Sequence, residues 1–152
     1  VLQGAQGIAG EWGHNPLIED GPACSCGKRG CVEAVLSGPA LERFYCDSGG
    51  EPGLRLPEIV QRARDGGDRA ANATLTRLIE QFGRALAVVI NIFDPDVVVL
   101  GGGVGNVDEL LTDGPRELAK HVFNDQVGTK LVRPVLGDSA GVFGAAQLAA
   151  EC

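Results

Sequence analysis

The sequence predicts an α/β fold, and three features carry that prediction. A long segment with apolar residues at three- and four-residue steps runs as far as Asp94-Pro95. A continuous β-branched run, Val97-Val98-Val99-Leu100, follows and is closed by Gly101-Gly102-Gly103. From there the pattern continues as helix, strand and helix, the alternation of an α/β lobe.

In chain order, Gly4 to Gly13 is glycine-rich with interspersed apolar residues. Asn15 to Gly30 is irregular, punctuated by Pro16, Gly21, Pro22 and Gly27, and too long to hold a shape without a staple. Ser37 caps a predicted helix through Phe44, and Gly49-Gly50-Glu51-Pro52-Gly53 breaks the chain after it. Pro57 to Arg64 reads as a helix with proline at its first position. Asp68 is the N-cap expected for the long periodic helix, whose stripe is Leu75, Leu78, Ile79, Phe82, Leu86, Val89, Ile90 and Phe93. Val97 to Leu100 is the run expected of a strand buried on both faces. Asn106 is expected to cap a helix reaching Phe123, broken near Gly114-Pro115. Lys130 to Leu136 reads as a strand that Pro134 confines to an edge or a bulge. Asp138 or Ser139 opens an alanine-rich helix to about Ala150. No internal repeat, coiled coil or low-complexity tail interrupts this order.

A length of 152 residues suits about one domain. With 13 basic and 20 acidic side chains the formal charge is -7, and no basic block offers a footprint for a phosphate backbone, which argues against nucleic acid as a partner. No apolar run approaches the roughly 20 residues of a membrane helix, and the amino end lacks the pattern of a signal peptide, so a cytoplasmic protein without a membrane partner is expected. The chain contains no Met. Val1 is therefore not expected to be a translation start, and the chain reads as a piece of a longer protein.

The segment Cys24-Ser25-Cys26-Gly27-Lys28-Arg29-Gly30-Cys31 gathers three thiols within eight residues, with His14 upstream. Three thiolates and an imidazole form a donor set that tetrahedral Zn²⁺ takes in closed structural sites. Metal binding would also staple a loop with little apolar area. The alternatives are free thiols or disulfides. The latter are uncommon in a reducing compartment, and Cys24 and Cys26 are too close in sequence to pair comfortably. His121 is the other histidine, but it lies far along the chain in a predicted helix. Cys46 and Cys152 fall outside the cluster and read as ordinary thiols.

Glu11 stands three residues before His14, and Glu33 two residues after Cys31. A metal at the cysteines would bring both carboxylates near one spot, where they suit the hydroxyls of a polyol. The alternative is that both are simply solvated. The turn Gly101-Gly102-Gly103 permits close backbone approach to a nucleotide, or serves only as a tight strand-to-helix turn. It lacks the third glycine of a dinucleotide fingerprint and the lysine of a phosphate-binding P-loop. Asp138 suits a helix N-cap better than a catalytic acid.

Glu11-Trp12-Gly13-His14-Asn15-Pro16-Leu17 and Cys24 to Glu33 resemble signature motifs of the ROK family of repressors, open reading frames and sugar kinases. Ser37-Gly38, Asn91 to Asp96, Val99 to Val104 and Gly137 to Gly141 extend the resemblance along the chain. Within the family, the first motif is most similar to the bacterial fructokinase branch. The resemblance implies an actin-like ATPase fold built of two ribonuclease-H-like lobes, of which this chain is the carboxy-terminal part. Residues 1–36 would be a sugar-contacting and zinc-binding segment, and residues 37–152 a carboxy-terminal α/β lobe. It further implies zinc on His14, Cys24, Cys26 and Cys31, sugar contacts from Glu11, His14 and Glu33, and adenosine contact near Gly101, Gly102 and Gly103.

The activity implied is ATP- and Mg²⁺-dependent phosphorylation of a hexose 6-hydroxyl, with fructose favoured. The catalytic base and the phosphate-binding loop would lie upstream of Val1, in or near an amino-terminal lobe of the same protein, and the protein would be a homodimer. Two other readings accompany this one: the sugar-sensing lobe of a ROK-type transcriptional repressor, and a zinc-stapled scaffold without a ligand.

Overall fold

The computed structural model of the chain describes residue 2 and residues 4–150, apart from the side chains of Asp138, Leu148 and Ala150. A 3₁₀ turn, Trp12–His14, precedes α1 (Val32–Leu36), α2 (Gly38–Asp47), α3 (Leu56–Asp65) and the 25-residue α4 (Arg69–Phe93). Then come β1 (Val97–Val99), α5 (Gly102–Gly105), α6 (Glu109–Thr112), α7 (Gly114–Leu118), β2 (Lys130–Val132), a 3₁₀ turn at Gly137–Ser139, and α8 (Ala140–Ala150).

The spine of the fold is α4, against which α1, α2, α3, α6 and α7 pack. Its start matches expectation: the Asp68 carboxylate accepts from the Ala71 N–H at 2.9 Å, satisfying one of the free donors of the first turn. The Ala71 N–H, and then the Tyr45 hydroxyl, hold the Asp68 carboxyl below its ordinary pKa. The stability from this cap is therefore full above the usual carboxylate range and is lost as pH falls through the lowered folded value. Ser37 likewise caps α2 by accepting from the Ala40 N–H. Leu78, Phe82, Leu86 and Ile90 of the α4 stripe are buried with Val35, Leu36, Leu41, Leu110 and Leu118 in one core. Opposite α7, Gly83 permits contact at backbone distance, since a Cβ there would stand 2.8–3.0 Å from Glu117 and the Leu118 nitrogen. Gly83→Val is expected to cost about 1–3 kcal/mol through overpacking, read as a lowered melting temperature of the full-length protein.

Strands β1 and β2 pair in parallel, with Val97 opposite Lys130 and Val99 opposite Val132. Several expectations need correction. The β1 strand is not buried on both faces: Val98 packs on the core, but Val97 is 46% and Val99 56% exposed, because nothing described lies over their face. Phe93 ends the α4 stripe in an exposed position, where the chain turns through Asp94 in the left-handed conformation. Asn106 follows α5 and is not the cap of the next helix; the break expected near Gly114-Pro115 is present, between α6 and α7, but the second piece ends at Leu118, short of Phe123, and His121 sits in a turn beside Glu117. β2 ends at Val132, two residues before Pro134, which has no N–H to donate to a ladder. The last helix starts at Ala140, after the 3₁₀ turn. Capping by Asp138 and the reading of Cys152 lie outside the described residues. No described helix is long and apolar enough to cross a membrane.

Candidate functional site

The stretch from Asn15 to Gly30, expected to be irregular, is a compact knuckle. Bridges at Pro16↔Cys31 and Ala23↔Arg29 close it, and the Cys24 N–H donates to the Lys28 carbonyl while the Gly27 N–H donates back to the Cys24 carbonyl. Gly30 is required here: its φ is +67°, and a Cβ would run into the Ile18 carbonyl. These turns aim the thiols at one point.

The ligand atoms of His14, Cys24, Cys26 and Cys31 all lie within 4.8 Å of one another. Cys26 Sγ is 3.7 Å from Cys31 Sγ, and Cys24 Sγ is 3.5 Å from His14 Nδ1. A tetrahedral zinc with ordinary bond lengths has S···S edges of about 3.8 Å and S···N edges of about 3.5 Å, so these two edges fit the ion. His14 presents Nδ1 to the thiols and Nε2 to Glu11, whose Oε2 is 3.6 Å away. A carboxylate on the outer nitrogen is the usual support of a metal-ligating histidine. His121 is not part of this group.

The electrostatics separate the thiols. The Cys26 N–H, followed by His14 and the other two thiols, lowers the Cys24 pKa to about 6, whereas burial pushes Cys31 up to about 11. The Cys24 sulfur, then the nearby charges of Glu33 and Glu11, raise His14 above its ordinary value. Cys46 is an exposed free thiol away from the cluster.

The carboxylates fall on either side of Trp12. Glu33 lies in the first turn of α1, close behind Gly13, where an added Cβ would stand 3.6 Å from the Glu33 Cβ. Glu11 borders a neighbouring cavity with His14 and Asn15. Trp12 lines both cavities and donates its indole N–H to the Ala85 carbonyl of α4 at 3.1 Å, fixing the loop to the spine. The sequence reading missed this anchor. The signal was present as the chain's one tryptophan, placed between Glu11 and His14.

Gly101 is extended, Gly102 has φ of +73°, and a Cβ on Gly101, Gly102 or Gly103 would meet nothing within 4 Å. Gly105 is different, since its Cβ would stand 2.6 Å from the Leu100 carbonyl oxygen. The Gly137–Ser139 turn packs against α5, so the turns following β1 and β2 lie side by side. One cavity of about 540 Å³ has in its lining Gly13, Glu33 and Ser37 as well as Gly101, Val104 and Gly105, and otherwise consists mostly of apolar side chains such as Leu78, Phe82 and Leu86.

Comparison with known proteins adds to this geometry. Residues 1–152 match the ROK family. Glucokinase of Thermotoga maritima is 34% identical, over 99% of this chain and 52% of its own length. N-acetyl-D-glucosamine kinase of Photobacterium profundum is 35% identical, over 97% of this chain and 52% of its own. The crystal structure of a ROK family glucokinase from Streptomyces griseus, in complex with glucose and AMPPNP, has a TM-score of 0.81 at 28% identity, covering 97% of this chain and 53% of that one. The chain thus spans about half the length of the curated relatives it matches.

Proposed function

Because the chain belongs to the ROK family, we propose that it is the carboxy-terminal part of an ATP-dependent hexose kinase with the actin-like ATPase fold. Residues 1–36 form its sugar-contacting and zinc-binding segment, and residues 37–152 its carboxy-terminal lobe. The observation that carries this reading is the one cavity that has Glu33 and Gly13 in one part of its wall and Gly101 in another. A sugar held on the first wall would lie next to a nucleotide held against the second.

On the sugar side, Glu11, His14 and Glu33 hydrogen-bond the hydroxyls and orient the ring. His14, Cys24, Cys26 and Cys31 hold the zinc, whose contribution is structural: it keeps the knuckle folded and the imidazole fixed. Thiolate ligation suits the reducing cytoplasm, where we place the protein. On the nucleotide side, Gly101, Gly102 and Gly103 let the backbone approach the adenosine without a Cβ in the way.

In the reaction, a base takes the proton from the 6-hydroxyl, the oxygen attacks the γ-phosphorus, and the bond to the ADP oxygen breaks. Glu11 and Glu33 are the carboxylates that line the two cavities beside Trp12, and their grip on the sugar leaves them as positioning groups. The base therefore comes from the amino-terminal part of the protein. The motif from Glu11 to Leu17 favours fructose, and the homodimer expected of the whole protein is checked by sedimentation.

A phosphorylation screen of the full-length protein over fructose, glucose, mannose and N-acetylglucosamine tests the proposal. Transfer to none of them, with a helix-turn-helix upstream of these residues, would establish the repressor reading instead. In the active enzyme, Glu11→Ala is expected to raise the sugar KM roughly ten- to a hundredfold, the worth of a hydrogen bond to a charged group. Zinc content, measured by metal analysis, should stay at that of the unsubstituted protein, because Glu11 is outside the ligand set.

A further inference from the structure

Arg133 stands one residue beyond β2, half-buried, and its guanidinium spans the segment that follows α5. Nη1 donates to the Gly105 carbonyl at 3.2 Å and to Asn106 Oδ1 at 3.3 Å, and Nη2 donates to the Asn106 carbonyl at 3.0 Å and to Asp108 Oδ1 at 2.5 Å. The other oxygen of Asp108 accepts from Arg64 of α3 at 3.1 Å, and Arg64 also pairs with Glu109 at 2.8 Å. Two planar forks thus tie β2 and α3 to one short stretch of chain.

The carbonyls of Gly105 and Asn106 lie at the carboxy end of α5, where the helix has no donors of its own left to satisfy them. A cation there meets the negative end of the local peptide dipoles. On the opposite side, Gly105 lies in backbone contact with Leu100, so the segment is held from both directions. Gly101, Gly102 and Gly103 remain open. Lysine offers a compact charge on a flexible stem and does not reproduce a fork that reaches two carbonyls and two side chains together.

We propose that Arg133 is a positioning residue for nucleotide binding: it locks the chain after α5 and so holds the glycine turn in the conformation that faces the adenosine. The proposal rests on the reading of Gly101–Gly103 as the nucleotide-facing turn. Arg133 acts through the backbone it holds and does not itself touch the nucleotide.

The experiment uses the full-length protein and measures kcat, the KM for ATP and for sugar, and AMPPNP affinity by calorimetry. Arg133→Gln is expected to raise the ATP KM and the AMPPNP dissociation constant roughly tenfold, with the sugar KM unchanged. Arg133→Lys should recover part of the loss. Gly103→Val, which places a side chain on the open turn, tests the underlying reading separately. If Gly103→Val weakens AMPPNP while Arg133→Gln does not, the positioning role is wrong and the nucleotide-facing turn stands. If neither weakens it, both fall. A drop in all constants together with melting temperature would assign Arg133 a purely structural role and overturn the proposal. Should Arg133→Gln not fold, Asp108→Asn weakens the same clamp from its acceptor side and is held to the same ATP-specific outcome.

Discussion

Cys26→Ala in the full-length protein is expected to abolish zinc binding and to release the segment from about residue 15 to residue 30 from its fold. Between these positions the knuckle has its own backbone hydrogen bonds but little apolar burial to hold it. Gly30 is its one buried residue, and Leu17 and Ile18 are its only large apolar side chains packed against the core. Metal binding in small zinc-dependent folds contributes free energy on the order of 10 kcal/mol, far more than two half-buried side chains supply. Sugar affinity should fall with the zinc, because His14 loses the ion that fixes its ring and Glu11 loses a fixed neighbour. Metal analysis and limited proteolysis of the 15–30 segment measure the two effects. A protein that keeps one equivalent of zinc, or an equally protected segment without it, would overturn the ligand assignment. Cys46→Ala serves as the comparison, since that thiol is exposed and apart from the cluster.

The 152-residue chain by itself is expected to phosphorylate no sugar. Proton abstraction needs a base within hydrogen-bond reach of the attacking hydroxyl. The carboxylates available beside the two cavities at Trp12 are Glu11 and Glu33, and both are proposed to position the sugar. Among the described residues nothing covers the face of β1 carrying Val97 and Val99, and Val88 and Ile92 at the end of α4 are exposed as well, so a ligand on this part would be held from one side. Binding energy spent on one side of a sugar does not orient its 6-hydroxyl for in-line attack. A coupled assay for ADP, run at high enzyme concentration with glucose and fructose, decides the matter. Turnover above that of a mock purification would place the base within these residues.

The features legible in the sequence are those whose cause lies within a few residues. Asp68 and Ser37 cap the helices they were expected to cap, because a side-chain oxygen finds the N–H of its own first turn. The α4 stripe follows from a 3.6-residue period, and its error at Phe93 arose where the helix outruns the core. The four candidate metal ligands converge as their spacing suggested, since Gly27 and Gly30 supply the turns locally. Expectations failed where local signals compete. A continuous Val run says that both faces of a strand want cover, and says nothing of what provides it. After Asn106 the break at Gly114-Pro115 is where it was expected, but the helix beyond it stops at Leu118 and does not reach Phe123.

The family, the α/β order and the gathering of His14, Cys24, Cys26 and Cys31 at one point thus follow from short stretches of sequence. How these parts meet is set by contacts between distant segments. Trp12 anchors the Glu11–His14 loop to Ala85, 73 residues away; Arg133 grips the chain after α5, and Gly13 and Glu33 share a cavity with Gly101. No short-range pattern encodes such pairs. They depend on the angles at which packed elements cross and on which backbone groups those crossings leave without a partner, and both are settled only when the whole core is assembled around α4.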